Sequence, residues 1–214
     1  MIQSCYLTRR AVGNALVAIA FFVSGYCPAG EFNPTHNIGD QVAGWSKLPG
    51  TDGREHSMED LKNCDVLVVV FTCNSCPYAV DYEDRINSLS KMFVESKINA
   101  AVVAINSNKV EADLPPAMKK RSEEKRFSFA YLFDESQEVC KQFGAVRTPE
   151  FFVLNRERRI VYMGALDNNT NPAMVTKKYV EEAVTATLKG EKVATAETAP
   201  VGCLIRFDRR RSRD

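Results

Sequence analysis

The sequence predicts an α/β fold, with a mixed central sheet flanked by helices. Three observations predict it. Residues 66–71 and 100–105 are unbroken apolar runs, as expected of strands buried on both faces. Segments with helical apolar spacing alternate with those runs, the pattern of a sheet built with helical crossovers. Two later runs, 151–155 and 159–163, are separated only by Arg156-Glu157-Arg158, and that hairpin adds an antiparallel part.

The elements follow in order. Residues 26–40 are rich in Gly, Pro and Asn and read as a linker. Residues 42–48 and 54–56 flank Pro49-Gly50-Thr51-Asp52-Gly53, a strong turn signal. Ser57-Met58-Glu59-Asp60 resembles a capping box that opens a short helix. After the strand at 66–71, Tyr78, Tyr82, Ile86, Leu89 and Phe93 recur at helical spacing. Residues 106–128 are polar, with Pro115-Pro116 ahead of a mixed-sign charge run, and read as a loop and an exposed helix. Residues 129–133 form a short strand, and residues 136–143 a helix that ends at Gly144. Residues 172–188 are an amphipathic helix. No linker divides residues 41–190, so they are expected to be one domain. Residues 191–207 are a C-terminal extension carrying Cys203, and residues 208–214 an Arg-rich disordered tail.

Composition narrows the function. The chain has 214 residues, a formal net charge of +1 and 45% hydrophobic residues, so it can bury a real core. That charge argues against a dedicated nucleic-acid binder, which carries a large basic excess. Seven cysteines are too few for a disulfide-stapled scaffold, and the odd number forbids complete pairing within the chain. Arg9 and Arg10 precede an apolar stretch over residues 11–24, so residues 1–25 read as a secretory signal cleaved between 25 and 29. An uncleaved anchor is the alternative. Without the signal no stable membrane span is expected, and export places the remaining cysteines in an oxidising compartment such as the periplasm.

The chemistry is expected in Phe71-Thr72-Cys73-Asn74-Ser75-Cys76-Pro77. Two cysteines at i and i+3 follow a buried strand and open a helix. A helix N-terminus favours the thiolate, which is the nucleophile in disulfide exchange. Pro77 is tolerated there because first-turn N–H groups have no intrahelical partner. Cys73 is expected to be the more exposed sulfur and the nucleophile, with Cys76 deeper and resolving. Half a zinc site or a structural pair are the other readings. Zinc would need further ligands, and neither His36 nor His56 shows ligand spacing to a cysteine. No metal and no cofactor are expected.

A second signal is Thr148-Pro149, between a helix and the strand at 151–155. C-x-x-C-P after the first buried strand, then Thr-Pro before a hairpin, resembles the thioredoxin superfamily. The extra helix and strand at about 106–133 resemble the insertion of its redoxin branch, the alkyl hydroperoxide reductase/thiol-specific antioxidant type. The ending Gly202-Cys203-Leu204-Ile205-Arg206 is similar to the GCxIK ending of some redoxins that carry CNxCPY. The resemblance covers about residues 40–207. It implies a thioredoxin-like fold, a cis bond at Pro149, and backbone at Thr148 that pairs with an incoming peptide. Three features depart from the superfamily: Thr72 stands where Trp is usual, Val66–Phe71 holds no acid, and Asn74-Ser75 matches no familiar dipeptide.

The expected function is an exported thiol-disulfide oxidoreductase working through Cys73 and Cys76 on protein thiols and disulfides, with a redox partner protein. A thiol peroxidase is the enzymatic alternative, although P-x-x-x-T-x-x-C is missing: Val69 and Cys73 occupy the Pro and Thr positions. A copper-binding or delivery module is the non-enzymatic alternative. Cys64 and Cys140 are expected to be packing residues. Cys203 is either packed or a further redox thiol at the active-site face.

Overall fold

In a computed structural model of the chain, residues 30–208 are described. The signal segment, Cys5, Cys27 and the tail beyond Asp208 lie outside the described residues. The elements are β1 (Leu48–Pro49), β2 (Glu55–His56), β3 (Val66–Phe71), α1 (Pro77–Glu95), β4 (Ala100–Asn106), α2 (Pro115–Lys125), β5 (Ala130–Phe133), α3 (Glu138–Phe143), β6 (Arg147–Thr148), β7 (Glu150–Leu154), β8 (Ile160–Gly164), α4 (Tyr179–Leu188) and β9 (Cys203–Leu204).

The main sheet has the order β5-β4-β3-β7-β8. β3, β4 and β5 run parallel, whereas β7 is antiparallel to both β3 and β8. β3 is central, and all six of its residues are buried. Its side chains alternate between two cores. Val66, Val68 and Val70 pack with Tyr82, Ile86 and Leu89 of α1 and with Val180 and Val184 of α4. Leu67, Val69 and Phe71 pack with Val139, Cys140 and Phe143 of α3. The unbroken apolar run therefore reports a strand covered on both faces. Phe71, Phe143 and Phe152 meet edge to face, with ring centroids 5.3–5.8 Å apart.

Two expectations are corrected. Residues 30–40 are not a free linker. Asn33 is buried, its amide donates to the carbonyls of Phe143 and Gly144, and Asp40 accepts from the Ile160 N–H through its carbonyl. The Asn33 side chain thus caps the end of α3, whose last carbonyls have no helical partner. Of the residues that flank the 49–53 turn, Leu48–Pro49 pairs with Glu55–His56. Val42 and Trp45 instead sink into the core on the α3 side. The amphipathic run at 172–188 is interrupted: Pro172–Met174 is a 3-10 turn, and helix starts again only at Tyr179. Asn171 caps that first turn through its side chain, while residues 175–178 are not helical.

Glu150 shapes the loop that matters for the site. It opens β7 opposite Phe71 and is only 2% exposed. One carboxylate oxygen accepts from the N–H groups of Val146 and Arg147, at 2.8 and 3.0 Å. The loop from α3 to β7 is closed by these two bonds. Burial pushes the carboxyl up from 4.5 to about 7, against the pull of the two N–H groups and Arg147. The folded state then holds a proton that the unfolded state has lost between those two values, so this group's contribution falls as pH rises through that window. The loss amounts to about 3 kcal/mol. Urea denaturation of Glu150→Gln should show that part of the pH dependence removed, with the variant gaining on the natural chain between pH 5 and pH 8. Parallel profiles would refute the buried-carboxylate account.

Candidate active site

Cys73 and Cys76 sit where β3 ends and α1 begins. Cys76 is the N-cap residue of α1, with extended backbone (φ −90°, ψ 119°), and Pro77 follows at the first helical position. Its side chain makes no capping hydrogen bond, but it sits at the helix start, where free N–H groups and the dipole favour negative charge. Cys73 lies 3.4 Å from Thr148 Oγ1 and 3.7 Å from Ser75 Oγ. Each cysteine is 2% exposed, so the expected exposure of Cys73 over Cys76 is not found. The cause is the cover that Thr148 and the C-terminal segment place over both.

The Thr148-Pro149 peptide is cis. β6 ends at Thr148, and the carbonyl of Thr148 accepts from the protonated Cys76 thiol at 3.0 Å. β9 pairs antiparallel with β6, setting Cys203 opposite Thr148 and Leu204 opposite Arg147. That register brings the sulfur of Cys203 within 2.7 Å of the sulfur of Cys76. Gly202 makes the approach possible: a Cβ there would fall 2.0 Å from the Thr148 carbonyl oxygen. The Arg147 guanidinium donates to the Gly202 carbonyl at 2.7 Å.

The C-terminal segment is held at several points. Ile205 is buried and its N–H donates to the Val146 carbonyl. The N–H of Arg206 donates to Asn108, and the amide of Gln137 donates to the Arg206 carbonyl. Gln137 also accepts from the N–H of Asp208. Residues 200–208 therefore form a strap across the thiols.

Asp113 was not foreseen. It comes from the inserted segment and is fully buried. One oxygen accepts from the N–H groups of Asn74 and Ser75, each at 2.8 Å, and the other from the Ser75 hydroxyl at 2.6 Å. This carboxylate fixes the turn between the two cysteines. Tyr131 and the Ala112 carbonyl hold Asn74 from either side. The inserted helix is anchored in turn by Arg121, which grips Glu83 of α1 with two bonds of 2.8 and 2.7 Å.

The electrostatics separate the three thiols. Cys76 is drawn downward by the hydrogen bond shared with Cys73, against its own burial. Cys73 moves strongly upward, through that same shared bond, its burial and the nearby Asp113 charge. Cys203 is pushed up to about 11, first by its bond to Cys76 and then by burial. These directions describe a Cys73–Cys76 pair that shares one proton, with the Cys203 thiol beside it.

The remaining sites resolve simply. Cys140 is fully buried and burial pushes it up to about 12, as suits a packing residue. Cys64 is part-buried in the turn before β3. Asp65 binds Asn99 and Arg156 at the opposite end of β3 from the thiols and takes no part. His56 pairs with Asp52, and His36 with the Gln142 carbonyl. Among the described residues no cluster of three His, Cys, Asp or Glu is arranged to hold a metal ion. A cavity of about 590 Å³ near Asp65 and Asn155 is lined by none of the three thiols.

Comparison with known proteins agrees with this architecture. No curated protein matches the chain. A hypothetical protein from Sinorhizobium meliloti 1021 is 31% identical, with a TM-score of 0.76 over 82% of this chain and 97% of that one. An uncharacterized conserved protein from Geobacillus kaustophilus is 33% identical, with a TM-score of 0.74 over 80% and 93%. A candidate thiol:disulfide interchange protein DsbE from Chlorobium tepidum shares the fold at 21% identity, with a TM-score of 0.58 over 71% and 98%. Residues 38–163 match the AhpC/TSA family, a span that includes β3, the dithiol, the inserted α2–β5 unit and the cis-proline loop, and the chain belongs to that family.

Proposed function

We propose that this chain is a thiol-disulfide oxidoreductase whose working couple is Cys73 and Cys76. The observation that supports it most is the pair's position: two thiols three residues apart at a helix N-terminus, with Cys76 the cap residue itself. Cys76 is the attacking sulfur. Its thiolate displaces one sulfur of a substrate disulfide and forms a mixed disulfide. Cys73 then attacks Cys76, releases the substrate thiol and closes the Cys73–Cys76 bond. Asp113 keeps the intervening turn in place for that second step. The substrates are protein disulfides, and a partner protein restores the dithiol.

Export is part of the proposal. It is supported by the basic-then-apolar pattern of residues 1–25. Among the described residues no helix is long and apolar enough to cross a membrane.

Catalysis of insulin disulfide reduction by dithiothreitol tests the reading. Cys76→Ser and Cys73→Ser should each lower the rate by at least about 100-fold. No acceleration by the natural chain would sink it. Peroxide consumption that survived Cys73→Ser but not Cys76→Ser would instead favour a thiol peroxidase. The order of the thiols has its own test, in the pH dependence of alkylation at Cys76. An ordinary thiol gains about two orders of magnitude in iodoacetamide rate between pH 6 and pH 8. Cys76, drawn down to about 4, should change little over that range. A steep rise at Cys76 with a flat profile at Cys73 would return the attacking role to Cys73.

A further inference from the structure

Cys203 is not needed for a two-cysteine exchange cycle, yet the fold is built to deliver it. Its strand pairs with Arg147–Thr148, and Thr148 touches both Cys73 and Cys76. Gly202 is required for the approach, and the strap is fastened on both sides of Cys203: by Arg147 to the Gly202 carbonyl, by Ile205 to Val146, and by Asn108 and Gln137 to Arg206. The result is a sulfur 2.7 Å from Cys76. Cys76 thus has a thiol neighbour on each side, Cys73 from its own turn and Cys203 from the chain's far end.

We propose that Cys203 is a third redox thiol that resolves mixed disulfides on Cys76, and that the resulting Cys76–Cys203 bond latches the strap over the site. The step rests on the exchange reading above. The Cys203 thiol loses its proton and its sulfur attacks the Cys76 sulfur of a mixed disulfide. The bond between Cys76 and the substrate sulfur breaks, and that sulfur leaves as thiolate and takes up the proton. One S–S bond forms as one is lost, so the only oxidant is the substrate disulfide. Cys203 and Cys73 compete for the same sulfur, and their products differ. A Cys73–Cys76 bond leaves the strap free to lift. A Cys76–Cys203 bond ties it down across Thr148, where an incoming peptide strand would have to pair.

The strap also explains why both active-site cysteines are 2% exposed in the reduced chain. β9 is two residues long and its ladder with β6 is short, so the cover can open locally without disturbing the main sheet.

The test uses the full reduced chain and oxidised glutathione, with peptide mapping of Cys76. In Cys73→Ser/Cys203→Ser, glutathione should stay on Cys76. In Cys73→Ser alone it should leave at least about tenfold faster, because the attacking thiol is held in place, and a Cys76–Cys203 bond should appear. Adding Gly202→Ala to Cys73→Ser should slow that release about tenfold by lifting the strap, although Cys203 is still present. Equal persistence of glutathione in the single and double variants would overturn the role of Cys203 and leave the exchange reading intact. An unchanged rate in the Gly202→Ala variant would also overturn the strap as the cause. If the double variant takes up no glutathione at Cys76, the exchange reading is what fails. The inference then stands or falls on whether diamide oxidation of the natural chain yields a Cys76–Cys203 peptide.

Discussion

β3 is buried on both faces, and that constraint organises the rest of the molecule. A strand with no solvent face needs apolar cover above and below, so α1 and α4 pack on one side and α3 with the 42–45 segment on the other. It also needs a strand on each edge, which β4 and β7 provide. The first place where its chain regains polar partners is beyond Phe71. There the backbone turns into α1, and four free N–H donors at the helix start become available to whatever side chain sits at the cap. In this chain that side chain is a thiol.

The second organising contact is the pairing of β9 with β6. Residues 191–207 first run beside β8, where Thr198 bonds the backbone of Met163 and Ala165, and then cross the carboxyl ends of the sheet. Open α/β sheets place their functional crevice at that end. The chain fills part of its own crevice. A buried polar group made of Ser107, Asn108, Asp134 and Gln137 provides the dock, and each member is satisfied by another or by the strap.

Much of this was legible in the sequence. The runs at 66–71 and 100–105, the hairpin after Pro149 and the helix from Ser75 all have periodicities that only one element type fits. The dithiol was legible because spacing and context coincide in seven residues. Asp113 was not, since an isolated Asp between Ala112 and Leu114 has no pattern, and its role depends on a contact 38 residues away in sequence. The 30–40 segment misled for a related reason. Gly, Pro and Asn mark turns, but Asn33 shows that the same residues can dock a loop on a helix end. The equal burial of Cys73 and Cys76 was not legible either, because the groups that cover them come from residues 148 and 203.

The strap couples access to the partners of Cys76. While it is closed, the Cys76 thiol donates to the Cys203 sulfur at 2.7 Å and lies 3.0 Å from the Thr148 carbonyl oxygen. The same closure keeps large disulfides away from that sulfur. Opening removes the Cys203 contact and lets substrate in. An open strap therefore suits entry of a disulfide, and a closed strap suits attack by a neighbouring thiol on whatever Cys76 has captured. One short strand, fixed to Thr148 by the absence of a side chain at Gly202, sets which of the two the site favours.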